Sequence, residues 1–332
     1  MPGMILAGDI GGTKVNMACF DAATLQLAPE NLGTYSSHDY ASLVDMARRF
    51  ATEHRVKLDY ACFGVAGPVK KGRAEVTNLP WVVDAQELAQ SLNLKQVWLI
   101  NDLEANAHGI AGLAADDFTV LNPGDKDAMG NAAIIAAGTG LGEAGLFWDG
   151  NRHLPIASEG GHAEFAPRTD LDLELLRHLR GRFGQVSWEN VLSGPGTVHI
   201  YEFLRDTGRG KEPAWLTEEF RKTDPAAAIT RAALAGKCDL CAQTLNLFVT
   251  YYGCEAANLA LKMLATGGVY VGGGIAPKII GKIQDGTFLK AFIGQGRMKH
   301  LLAAIPVRVV MNDKTALIGA ARFAAMKSGK IL

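Results

Sequence analysis

The side chains with the clearest chemical potential stand beside glycines. In Gly138-Thr139-Gly140-Leu141-Gly142 a hydroxyl is set among residues without Cβ atoms, directly after the apolar run 132–137. Backbone N–H groups in such a turn approach an anion closely, so the pattern suits a phosphate cradle. The arrangement recurs near the start of the chain, where Gly8-Asp9-Ile10-Gly11-Gly12-Thr13-Lys14 separates the β-prone segments 4–8 and 15–20. There Asp9 adds a carboxylate able to hold a divalent cation through water. Gly272-Gly273-Gly274 closes a further apolar run, 268–271, where bare backbone can admit a nucleoside.

Other side chains suit a polyol. Glu159-Gly160-Gly161-His162 offers acceptor and donor on what reads as a flexible glycine spacer. Asn101-Asp102 follows the apolar run 97–100, and a carboxylate there is either a helix cap or a general base. Glu189, just before Leu192-Ser193-Gly194-Pro195-Gly196, is a further candidate carboxylate or a cap. Phosphoryl transfer needs a phosphate cradle, a divalent metal and a base for the acceptor's proton, and this set supplies each.

Several simpler assignments fail on context. Gly140, Gly142 and Gly145 satisfy G-x-G-x-x-G, but β-prone residues 145–148 and the hairpin signal Asp149-Gly150 follow, where a dinucleotide site needs a helix. Residues 8–14 are not a Walker loop, because position 13 is Thr and no helix follows. Cys238 and Cys241 form a lone C-x-x-C on a helical pattern. With Cys19, Cys62 and Cys254 they make an odd set inside apolar segments, which reads as core thiols.

The elements that must position these groups follow from period and turn chemistry. Strands are expected at 4–8, 15–20, near 32–35, and at 60–66, 97–100, 132–137, 268–271 and 305–310. Helices are expected at 39–53, from the Asp84/Glu87 capping pair to Leu92, at 103–113, 170–182, after Ser193, after Asp224-Pro225, at 238–265 and at 315–327. Thr77-Asn78-Leu79-Pro80-Trp81 reads as a polar loop with an aromatic wall. Two hairpins with glycine tips, one in each half of the chain, point to a duplicated domain.

Bulk properties narrow the class. With 332 residues the chain is long enough for about two domains. A net charge of −1 gives no reason to expect nucleic acid or an anionic membrane as a partner. No apolar run is long enough to span a bilayer, and the first residues lack a basic segment ahead of a long apolar core, so a cytoplasmic location is expected.

In order along the chain, GDIGGTK, AGPV, TNLPW, LINDLEANAHGI, GTGLGEA, SEGGHAEF, ENVLSGPG and GGVYVGGGIAPK resemble the bacterial glucokinase family of the actin–hexokinase–chaperone ATPase superfamily. The resemblance implies an α/β, two-domain actin/hexokinase-like (ribonuclease H-like) fold with an interdomain cleft. One domain would span 1–112 with 312–332, the other 113–311. It implies transfer of the ATP γ-phosphoryl group to the 6-hydroxyl of glucose, with Mg2+ and as a homodimer. By motif, Asp102 is the general base, and Asn101, Glu159, His162 and Glu189 join it as sugar ligands. Gly8, Asp9, Gly11, Gly12, Thr13, Gly138, Thr139, Gly140 and Gly272 to Gly274 are nucleotide-binding, with Asp9 also toward Mg2+ through water. Lys14 is more like the repressor–kinase sugar kinases, but no cysteine follows His162, unlike their zinc-bearing members. The alternatives are a kinase for mannose or fructose, and a sugar-sensing regulator, which would need a DNA-binding element. A chaperone-type ATPase would not need the EGGH loop.

Overall fold

The computed structural model describes residues 3–25, 27–76, 79–294 and 296–330. The chain forms two compact units, Met1–Ala115 with Asn312–Leu332, and Asp116–Met311.

In the first unit, β1 (Met4–Ile10), β2 (Lys14–Asp21) and β3 (Leu27–Ser36) form an antiparallel meander. Then α1 (Leu43–His54) returns the chain to β4 (Leu58–Val65), parallel to β1. A small sheet of β5 (Val69–Lys70), β6 (Arg73–Glu75) and β7 (Val82–Asp84) precedes α2 (Ala85–Leu92). The chain then enters β8 (Gln96–Asn101), parallel to β4, and α3 (Asp102–Ile110). The strand order is β3-β2-β1-β4-β8. Period-2 alternation splits the sheet between two cores: Leu6 and Ile10 face Met46 and Phe50, while Ile5 and Ala7 face Ala320 and Ala324 of the terminal helix, Thr315–Lys327. That helix packs tightly on α3, because a Cβ on Gly319 would strike the Ala105 carbonyl.

The second unit opens with β9 (Phe118–Asn122), β10 (Ala132–Ala137), β11 (Leu141–Trp148) and β12 (His153–Ala157). The helices α4 (Asp170–Phe183), α5 (Gly194–Asp206), α6 (Ala214–Phe220), α7 (Pro225–Leu234) and α8 (Asp239–Met263) follow. Then come β13 (Gly268–Gly272), α9 (Ile280–Gln284), α10 (Thr287–Ile293), α11 (Lys299–Ala304) and β14 (Val307–Val310). Its sheet order is β12-β11-β10-β13-β14-β9. In β12-β11-β10-β13-β14 both the order and the sense of each pairing repeat those of β3-β2-β1-β4-β8. The two hairpins of the sequence are therefore the cores of a duplicated topology.

Several expectations need correction. Asp9 lies within β1, which runs two residues beyond Gly8, so the turn is residues 11–13. The first helix starts at Leu43 instead of Asp39, because Ser42 Oγ accepts the Asp45 N–H and sets the cap there. Trp81 is no loop wall; it is buried with Val83 and Leu88, while Thr77 and Asn78 lie outside the described residues. Cys238 caps α8 through its sulfur, and all the cysteines are buried thiols, as apolar placement suggested. No helix among the described residues is long and apolar enough to cross a membrane.

Candidate active site

In the first unit the polar groups gather at the C-terminal ends of parallel strands, where open α/β sheets present ligand sites. Asp9 is the penultimate residue of β1, and Asn101-Asp102 lead from β8 into α3. Between them in the sheet is β4, whose Gly64 pairs with Asp9. A Cβ on Gly64 would lie 2.9 Å from Ala105 Cβ and 3.6 Å from Asp102 Cα, so its bareness lets α3 start close over the sheet.

The cap at this helix is Asn101, not Asp102. Asn101 Oδ1 accepts the Leu103 N–H at 2.9 Å and the Glu104 N–H at 3.4 Å. Asn101 Nδ2 donates to the Gly67 carbonyl at 3.2 Å, which ties the AGPV turn to the same point. Asp102 Oδ1 accepts its neighbour's N–H at 2.9 Å.

Burial, and after it the Asp102 charge, push the Asp9 carboxyl up to about 6, against a hydrogen bond from Asn16. Thr34 Oγ1 donates to Asn16 Oδ1 at 2.8 Å and so fixes the amide that steadies Asp9. Two carboxylates that repel one another are relieved by a cation between them. Among the described residues no cluster of three or more His, Cys, Asp or Glu side chains could hold an ion alone. The carboxylate pair fits a hydrated divalent cation such as Mg2+, which keeps waters and takes phosphate oxygens. The turn itself is closed by Gly11 N–H to Lys14 O at 3.0 Å and stitched by Ser37, whose Oγ donates to Gly11 O and N–H to Thr13 O. Gly8 answers to packing, since a Cβ there would strike the Phe63 ring.

In the second unit the GTGLG loop joins β10 to β11. Gly138 N–H donates to Gly140 O, and Gly194 N–H at the start of α5 donates to Gly138 O, both at 2.8 Å. A Cβ on Gly138 or Gly274 would meet nothing within 4 Å, whereas one on Gly273, with φ of +80°, would strike the Ala137 backbone. Glycine at 273 is thus required by the crossing chains, and the space before Gly138 and Gly274 suits the close approach of a nucleotide. Gly272 has only ordinary contacts at 3.7 Å and beyond.

The EGGH segment is not a flexible spacer. Gly160–His162 is a 3₁₀ turn closed by His162 N–H to Glu159 O at 3.0 Å. A Cβ on Gly160 would strike Glu143 Oε2, and one on Gly161 the Leu141 carbonyl, so both glycines let the turn press against β11. Glu159 and His162 are exposed at its two ends. Residues 163–165 then pair with 186–188 through Trp188 N–H to Ala163 O and Phe165 N–H to Val186 O, both at 2.9 Å. That pairing delivers Glu189, whose Oε1 lies 4.0 Å from His162 Nδ1 and whose Oε2 accepts the Leu141 N–H at 2.9 Å. Glu189 is no helix cap; it bridges the GTGLG loop and the EGGH turn. Sequence reasoning missed this link, and also Asn16, Gly64 and Glu143.

Glu143 is buried, and its Oε1 has no hydrogen-bond partner among the described residues. Burial, and after it the charge of Glu255, push its carboxyl up to about 8, with Lys262 opposing. The folded protein therefore holds a proton there that the unfolded chain releases near the ordinary value of 4.5. This contribution to stability is full below that value and is lost as pH rises through the folded one. The melting temperature of the wild type is expected to fall between about pH 4.5 and about pH 8 more steeply than that of Glu143→Gln, which cannot titrate. Parallel melting curves for the two proteins would remove Glu143 as the source.

A family model described as Glucokinase matches residues 6–327. The chain is 42% identical over 338 residues to a glucokinase of Trichormus variabilis, covering 97% of this chain and 99% of that one. Among solved structures it is similar to a glucokinase from an Antarctic psychrotroph, with a TM-score of 0.83, 35% identity and coverage of 98% and 99% of the two chains. A ROK family glucokinase from Streptomyces griseus, solved with glucose and AMPPNP, shares the fold at a TM-score of 0.64 and 20% identity over 98% of this chain and all of that one, a likeness of fold alone.

Proposed function

The chain belongs to the glucokinase family, and from that premise we propose that it transfers the γ-phosphoryl group of ATP to the 6-hydroxyl of D-glucose. Asp102 accepts the proton of the attacking hydroxyl, and Asn101 orients the sugar beside it. Glu159, His162 and Glu189 pair with the remaining ring hydroxyls, supplying both acceptors and donors. Gly11, Gly12 and Thr13, with Gly138, Thr139 and Gly140, receive the phosphates, and Gly272 to Gly274 the nucleoside. Mg2+ held near Asp9 through water would neutralise charge on the phosphoryl oxygens.

One observation carries most of this reading. A single carboxylate, Glu189, holds the backbone of the GTGLG loop and lies beside the EGGH histidine. Phosphate-loop and polyol-type groups are thereby adjacent within one unit, which a chaperone-type ATPase has no use for.

A coupled assay over glucose, mannose and fructose, each with ATP, ADP and polyphosphate, tests the substrate pair. Glucose with ATP is expected to give the highest kcat/KM. Preference for another hexose would move the chain to a neighbouring specificity, and ATP hydrolysis indifferent to sugar would overturn the kinase reading. A cytoplasmic homodimer belongs to the same proposal; a monomer mass in light scattering at working concentration overturns the dimer.

A further inference from the structure

Tyr252 stands on α8, remote in sequence from the GTGLG loop, yet its hydroxyl reaches the ends of two strands. It accepts the Ala137 N–H at 3.1 Å and lies 3.0 Å from the Gly272 carbonyl, to which it donates, with Ile135 O at 3.4 Å. The β10–β13 ladder stops at Ala136 opposite Gly272, and the β10–β11 ladder at Ala137 opposite Leu141. Beyond these points the chain enters the GTGLG and GGG loops, which a backbone bond from Ile275 N–H to Ala137 O at 3.2 Å still joins. The phenol thus supplies a cross-link where the ladder runs out, one peptide before each loop.

The ring has no freedom to shift. Tyr252 is fully buried and sits edge-on to Phe248 and Phe288, with centroids 6.0 and 5.8 Å away. Removing the hydroxyl would leave a buried N–H and a buried carbonyl short of a partner, and the strand ends could then separate to find one.

We propose that Tyr252 is a positioning residue for the nucleotide: its hydroxyl sets the spacing between the loop that receives the phosphates and the loop that receives the nucleoside. The inference rests on the nucleotide assignments made above. Ligands that engage both loops should feel the change, and a ligand that engages one should not.

Tyr252→Phe keeps the ring and is compared with Tyr251→Phe. Tyr251 is equally buried, and its hydroxyl bonds Asp172 Oδ1 at 2.8 Å, away from both loops. Both variants are expected to melt lower than wild type, since each loses a buried hydrogen bond. Only Tyr252→Phe is expected to raise the KM and Kd for ATP, by about tenfold, while its affinity for adenosine and its KM for glucose stay within about twofold of wild type. A purely structural role would lower the melting temperature and leave the contrast between ATP and adenosine unmoved, and that result overturns the proposal. Thr139→Ala is run alongside. If it raises the KM for ATP while Tyr252→Phe does not, the inference fails and the loop assignment stands. If Thr139→Ala leaves the KM for ATP unchanged, the loop assignment fails and the inference falls with it.

Discussion

Asp102→Asn protein is expected to turn over glucose about 10²–10⁴-fold more slowly than wild type, the span usual for loss of a general base. The substitution keeps shape and removes basicity. The fold should survive it, because the cap of α3 belongs to Asn101 and an amide oxygen can still accept the Leu103 N–H that Asp102 Oδ1 now accepts. Losing a negative charge in the first turn costs roughly 0.3–1 kcal/mol through the helix dipole, too little to unfold a domain. The repulsion that helps raise the Asp9 carboxyl also disappears, so Asp9 becomes a readier carboxylate and binding of Mg2+ should not suffer. KM for glucose should rise less than kcat falls, since an amide still hydrogen-bonds a hydroxyl. Steady-state kinetics on purified, folded Asp102→Asn decides the matter, and near-wild-type turnover would sink the assignment.

The groups that sequence reasoning placed well are those with local signals. Strand, glycine turn and strand mark the hairpins at residues 4–21 and 132–148, and Asp224-Pro225 marks the start of α7. The glycines were harder to interpret. A run such as EGGH looks the same in sequence whether the chain is loose or pressed against a neighbour, and only the positions of Glu143 and Leu141 show that it is pressed. Asn101 and Asp102 present a similar ambiguity, because adjacent Asn and Asp compete for one cap and the winner depends on backbone geometry at the strand end. The links between motifs leave no local trace at all. Leu141 to Glu189 spans 48 residues and Ala137 to Tyr252 spans 115, far beyond any window of periodicity.

The 48-residue link changes what Glu189 should do when removed. Reading by motif alone treats Glu159, His162 and Glu189 as equivalent sugar ligands, each affecting glucose and sparing ATP. Glu159→Ala and His162→Ala keep that expectation: KM for glucose rises strongly and KM for ATP barely moves, because a site built to bond a hydroxyl loses it while the phosphate loop is untouched. Glu189→Ala also strips the acceptor from the Leu141 N–H and leaves the GTGLG loop without the carboxylate that braces its far end. Both KM values should then rise, each by about tenfold, the scale of one charge-assisted hydrogen bond lost. Glu189→Gln separates the two roles. Its amide oxygen can still accept from Leu141, so KM for ATP should return toward wild type, while loss of the negative charge keeps KM for glucose high. If Glu189→Ala moved glucose alone, the loop would not need its brace; if it moved ATP alone, Glu189 would belong to the nucleotide and the sugar site would rest on Glu159 and His162.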